Sequence, residues 1–67
     1  MKYDLGDNIY DYILDIHHFD DEMTYRITGF LLESFDYHDL KNMLQNNQNE
    51  LDAIIIEIKN TLENIDS

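Results

Sequence analysis

The sequence predicts a small all-α domain of three to four helices with a long C-terminal helix, and three observations carry that prediction. Apolar residues recur at intervals of three and four through most of the chain. Asp or Asn residues stand where helices would begin. Proline is absent and glycine occurs only at Gly6 and Gly29, so strong internal punctuation is missing.

The first element is read from Leu5 to Phe19, where Leu5, Ile9, Tyr12, Ile13, Ile16 and Phe19 cover about a third of a helical circumference. A strand would mix Asp11 and Asp15 with Ile9 and Ile13 on one face. Because glycine in a helix interior costs ~1 kcal/mol, the helix is expected over about 7–19, starting near Asp7 or Asn8. That start leaves Asp4 on a flexible lead-in.

Asp20, Asp21 and Glu22 mark the next start, since carboxylates in a first turn are favoured by ~0.3–1 kcal/mol each. A helix over 21–35 would gather Met23, Ile27, Phe30, Leu31 and Phe35 on one arc, with Arg26, Gly29, Glu33 and Asp36 opposite. The run from Met23 to Thr28 also alternates apolar and polar residues, so a hairpin between residues 9–16 and 23–29 is the rival.

Asp36 supplies the third N-cap, with Asp39 at the third helical position, and a helix is expected over 37–65. Leu40, Leu44, Asn47, Leu51, Ile55, Ile58, Leu62 and Ile65 follow in steps of four and three, a coiled-coil-like seam with one stutter. Unbroken, this helix would run about 42 Å. The competing reading breaks it in the polar run from Gln45 to Asn49, with Asn49 capping a separate last helix. Asn47 is either a register-setting polar residue of the seam or part of a loop. Ile54, Ile55 and Ile56 make a ridge broader than one seam requires.

A chain of 67 residues forms one domain and buries only about 60% of its unfolded surface. Without cysteine there are no disulfides and no Cys/His zinc set to reinforce it. Self-association is the remaining common route, so a helical homodimer through the seam residues is expected.

Fifteen acids against four bases give a formal net charge of −11. Such a chain repels nucleic acid and anionic membrane surfaces and attracts basic proteins. Its hydrophobic content of 43%, arranged periodically, is too high for an acidic disordered tail. No basic-flanked apolar leader and no apolar run of ~18–20 residues is present, so a cytoplasmic location is expected. Richness in Asn, Asp, Ile, Tyr and Lys over Ala, Pro and Arg suggests an AT-rich coding source, such as a low-GC bacterium or its phage.

The most informative functional feature is the spacing of Asp4, Asp7, Asp11 and Asp15, which places four carboxylates on one helix face opposite the apolar one. Successive turns set them roughly 5–6 Å apart, resembling in spacing and sign the phosphates along a nucleic-acid strand. Charge runs are commonly just solvated faces. Here, however, like charges at i,i+4 cost a few tenths of a kcal/mol per pair, and no lysine on that face offsets them. Asp20, Asp21 and Glu22 extend the acidity, so residues 1–22 carry seven acids against Lys2 alone, a net of −6. Tyr10, beside this face, is the expected exposed aromatic anchor, whereas Tyr12 suits the core.

Other constellations are weak. His17 and His18 would point about 100° apart on a helix, and neither they nor His38, with Asp20, Asp36 and Asp39 nearby, has metal-ligand spacing. Ser34 lacks a Gly-rich elbow and there is no phosphate-cradling glycine loop. No enzyme activity and no cofactor is expected. Glu50-Leu51-Asp52, preceded by Gln48-Asn49, is similar to the short signature of the small two-helix aspartyl-phosphate phosphatases of sporulating bacteria. Gln48 stands where that signature has serine and the upstream helix lacks its arginine-containing pattern, so the chain is not assigned there.

The expected function is that of a small acidic inhibitor of phage or plasmid type. It would occupy the basic nucleic-acid-binding surface of a partner protein through Asp4, Asp7, Tyr10, Asp11, Asp15, Asp20, Asp21 and Glu22. The alternative is a structural dimerisation or adaptor module acting through the C-terminal seam.

Overall fold

A computed structural model of the chain describes residues 4–66. It contains four helices and, among the described residues, no strand: α1 (Leu5–His17), α2 (Asp21–Ser34), α3 (Tyr37–Asn46) and α4 (Gln48–Asp66). The hairpin alternative is thereby replaced by two helices.

Helix α1 begins two residues earlier than the glycine argument places it. Asp4 is its N-cap, not part of a lead-in: Oδ1 accepts from the Asp7 N–H at 3.2 Å. Gly6 falls in the first turn, where backbone N–H groups lack intrahelical partners anyway. A Cβ at Gly6 would lie 3.3 Å from Leu32 Cδ1, so the missing side chain lets the start of α1 approach the far end of α2. The helix stops at His18, whose φ of 57° and ψ of 33° form a left-handed cap.

Asp20 begins α2 as expected, its Oδ1 accepting from the Met23 N–H at 2.7 Å, with Asp21 and Glu22 in the first turn. Asp36 occupies the N-cap position of α3, but its side chain makes no cap bond there.

The long third helix is broken, and the break lies at Asn47, not at Asn49. Asn47 has φ −145° and ψ 61°; its N–H donates to Met43 O and its carbonyl accepts from Leu51 N–H, ending one helix and starting the next. Side chains in this polar run compete for the backbone: Gln48 Nε2 donates to Leu44 O at 3.0 Å, and Asn47 Nδ2 donates to Glu50 Oε2 at 2.7 Å. The molecule's longest extent is 39 Å, shorter than an unbroken helix of about 42 Å. With the break, α3 packs back on α4.

Helix α1 packs mainly on α2, α3 on α4, and α2 also lies against α4. The core between them is Leu5, Ile9, Ile13, Ile27, Leu31, Leu40, Met43, Leu51, Ile55 and Ile58. Two expected core residues stay outside: Ile16 is 53% exposed and Phe30 is 47% exposed. In α2 their place is taken by Thr24 and Thr28, buried because each hydroxyl donates at 2.8 Å to the carbonyl four residues back, on Asp20 and Thr24. No described helix is long and apolar enough to cross a membrane.

Candidate functional site

Three surfaces hold the chemistry of this chain. The first is the acidic face of α1. Asp4, Asp7, Asp11 and Asp15 are all exposed, and among the described residues Asp7, Asp11 and Asp15 form no ion pair. Their environments differ. Asp4 is engaged as a cap. Asp7 lies in the first turn, where the helix dipole favours a carboxylate. Asp15 lies in the last turn, where the dipole opposes one.

The other expected partner-facing residues are divided between roles. Asp20 caps α2, and Glu22 accepts from Arg26 at 3.2 Å. Tyr10 is half-buried, and Asp21 at the start of α2 lies near enough for its charge to act on the phenol. Desolvation, then the negative charge of Asp21 and that of Asp11, raise the Tyr10 pKa above its usual value. Tyr10 thus lies near an acid of α1, Asp11, and one at the start of α2, Asp21.

The second surface is a polar bridge that no local pattern in the sequence announces. Tyr12 donates to Asp52 Oδ1 at 2.6 Å, and His17 Nε2 lies 3.1 Å from the same oxygen. A carboxylate oxygen only accepts, so this contact needs the His17 proton on Nε2. Burial, followed by the hydrogen bond and charge of Asp52, pushes the Tyr12 phenol up to about 12. His17 stacks on Phe19 with centroids 5.3 Å apart, and the Lys59 ammonium lies 5.4 Å from the Phe19 ring centre while pairing with Glu63.

This chain of contacts joins α1 to α4, although among the described residues no Cα of one comes within 8 Å of the other. Long side chains do the spanning. The available signal was Asp52 itself, an acid set between the buried Leu51 and Ile55 on the inward side of α4. Its partners, 40 and 35 residues away, could be assigned only from the packing.

The third surface is apolar. Phe30 of α2 and Phe35 just beyond it face Ile54, Ile58, Leu62 and Ile65 of α4 across an open groove of about 280 Å³, with Glu57 at its edge.

The expected dimerisation seam is largely filled from within the chain. Leu40, Leu51 and Ile55 are fully buried and Ile58 nearly so, while Leu44 and Leu62 pack partly against the same core. Asn47 is exposed at the helix break instead of lying in a seam, and Ile65 is 73% exposed.

Among the described residues no three His, Cys, Asp or Glu side chains converge as a metal site would. His18 is the exposed cap of α1, and His38 stands edge-on to Tyr37 at 5.7 Å. The chain matches no protein-family model, and no curated protein or solved structure is significantly similar to it.

Proposed function

We propose that this protein is a small acidic binding module that covers a basic, nucleic-acid-binding surface of a partner protein. The observation that carries this reading is the row of Asp7, Asp11 and Asp15, exposed and without lysine or arginine partners among the described residues. Folding accounts for Asp7, which the first turn of α1 favours, but gives little reason for Asp11 and Asp15. Neighbouring carboxylates one turn apart repel by a few tenths of a kcal/mol, and Asp15 sits at the unfavourable end of the helix dipole. Tyr10, set among Asp11 and Asp21, adds an aromatic body at the centre of the charged face.

The mechanism is competition by charge: the carboxylates meet Arg and Lys side chains that would otherwise hold phosphates. Association is then fast and weakened by salt. The homodimer or adaptor reading has less to work with, because its seam is mostly interior.

The test compares the wild type with a triple variant, Asp7→Asn, Asp11→Asn and Asp15→Asn, against a panel of immobilised basic DNA- and RNA-binding proteins. Expected is binding to one or more of them at low salt, release by duplex DNA or RNA, and loss in the triple variant. Equal binding by the variant, or a complex that nucleic acid cannot displace, would refute the reading.

A further inference from the structure

We infer that the groove between Phe30, Phe35, Ile54, Ile58, Leu62 and Ile65 is a docking site for an amphipathic helix whose apolar face is flanked by Lys or Arg. This site is separate from the α1 acidic row, and the inference stands whether or not that row is the neutralising surface.

Shape gives the first argument. The α4 wall runs from Ile54 to Ile65, about 16 Å along the helix axis. Residues at i, i+4 and i+7 of an incoming helix span about 10 Å, so the wall accommodates three successive anchors. Phe30 and Ile65, at 47% and 73% exposure, leave apolar surface that the chain's own helices do not cover. A helix laid into such a groove by i, i+3/i+4, i+7 anchors is a recurrent recognition mode.

Charge selects the occupant. Glu57 borders the groove, Glu33 lies one turn beyond Phe30, and Asp36 follows Phe35; all three are exposed. The nearby cations are committed elsewhere: Arg26 bonds Glu22, and Lys59 is turned to Phe19 and Glu63. A second copy would bring another −11 to this acidic margin. In a two-fold pairing the same patch meets itself, so a second copy brings Glu57 again and no uncommitted cation to the groove. A basic amphipathic helix satisfies both the apolar floor and the acidic edge.

The probe is a fluorescein-labelled Leu/Lys model peptide designed as a three- to four-turn amphipathic helix. A scrambled peptide of equal charge but without an apolar face serves as comparison, and binding is read by anisotropy with the intact protein. The amphipathic peptide should bind at least about tenfold more tightly than the scrambled one. Phe30→Asp and Ile65→Asp, both at exposed positions so that helix content by circular dichroism should persist, should each weaken it by about tenfold or more. The triple Asp7/Asp11/Asp15→Asn variant should retain most of the affinity, which separates this site from the α1 row. Equal binding of the scrambled peptide, or unchanged affinity in Phe30→Asp and Ile65→Asp, would overturn the inference. So would sedimentation of the wild type as a dimer that Ile65→Asp dissociates, since the occupant would then be a second copy.

Discussion

Tyr12→Phe isolates the bridge between α1 and α4, because it removes one hydroxyl and leaves the ring in place. A hydrogen bond to a charged acceptor contributes about 1.5–3 kcal/mol. The Asp52 side chain is 30% exposed, so its carboxylate regains water when the phenol is gone, and the loss falls to the bottom of that range or just below it, about 1–1.5 kcal/mol. Against a total stability of about 3–10 kcal/mol for a chain this size, that loss is large. It corresponds to a fall in Tm of roughly 5–10 °C. The assay is urea unfolding followed by circular dichroism, with an unchanged slope showing that only stability has moved.

A second readout comes from pH. The Tyr12 phenol is raised to about 12 in the folded chain, against about 10 when unfolded. The folded state therefore holds a proton that the unfolded state has released. Its stabilising contribution is complete below about pH 10 and is lost as pH climbs towards 12. The wild type should lose its advantage over Tyr12→Phe across that window. Asp52→Asn should lower the Tyr12 pKa while leaving it above that of free tyrosine, because burial is the largest cause and remains. If Tyr12→Phe unfolds at the same urea concentration as the wild type, and no tyrosine titrates late, the bridge does not exist in solution.

Two further predictions concern the helix ends. Asp20→Ala removes a side-chain cap bond of 2.7 Å and should cost about 1 kcal/mol. Asp36→Ala, at a cap position without such a bond, should cost distinctly less by the same urea assay. His18→Gly should stabilise the chain, by up to about 1 kcal/mol, since glycine occupies the left-handed region without a Cβ penalty and the exposed imidazole gives up little. A lowered Tm for His18→Gly would mean that the His18 side chain has a contact worth more than its backbone strain.

The fold class, the Asp20 start and the helical character of residues 50–65 were legible because each rests on local patterns: period, cap and charge against dipole. What was not legible depends on neighbours. Gly6 reads as a helix breaker until Leu32 is seen 3.3 Å from where its Cβ would be. Ile16 reads as core until His17 is found taking the inward position beside Tyr12, held there by Asp52. The seam from Leu40 to Ile65 has the spacing of a partner interface, but spacing cannot say whether the facing helix belongs to another chain. A break at Asn47 lets the first part of the seam fold onto the second. At the acidic face, exposure of the four aspartates followed from the wheel, whereas the sharing of Tyr10 by Asp11 and Asp21 required the α1–α2 packing.

How a chain of net charge −11 stays folded is answered by asking what each acid does. Asp4 and Asp20 cap helices; Asp7, Asp21, Glu22, Asp39 and Glu50 lie in first turns, where the dipole favours them. Glu22 and Glu63 hold cations, Glu50 accepts from Asn47, and Asp52 ties Tyr12 and His17 together. Much of the negative charge therefore stabilises the fold it would otherwise oppose. Asp11 and Asp15 stand apart from that list. They lie beyond the first turn of α1, without a cap bond, and Asp15 is in the helix's last turn, where its charge is disfavoured. Asp11 and Asp15 are one turn apart on an open face, and the proposed basic partner would give them the counter-charge that the described residues do not. Glu33, Asp36 and Glu57 likewise make no side-chain cap bond or ion pair among the described residues, and Glu57 borders the uncovered groove. Asp11 and Asp15 on α1, and Glu57 at the groove, are thus the acids on which the two proposed sites rest, one for a basic face and one for a basic helix.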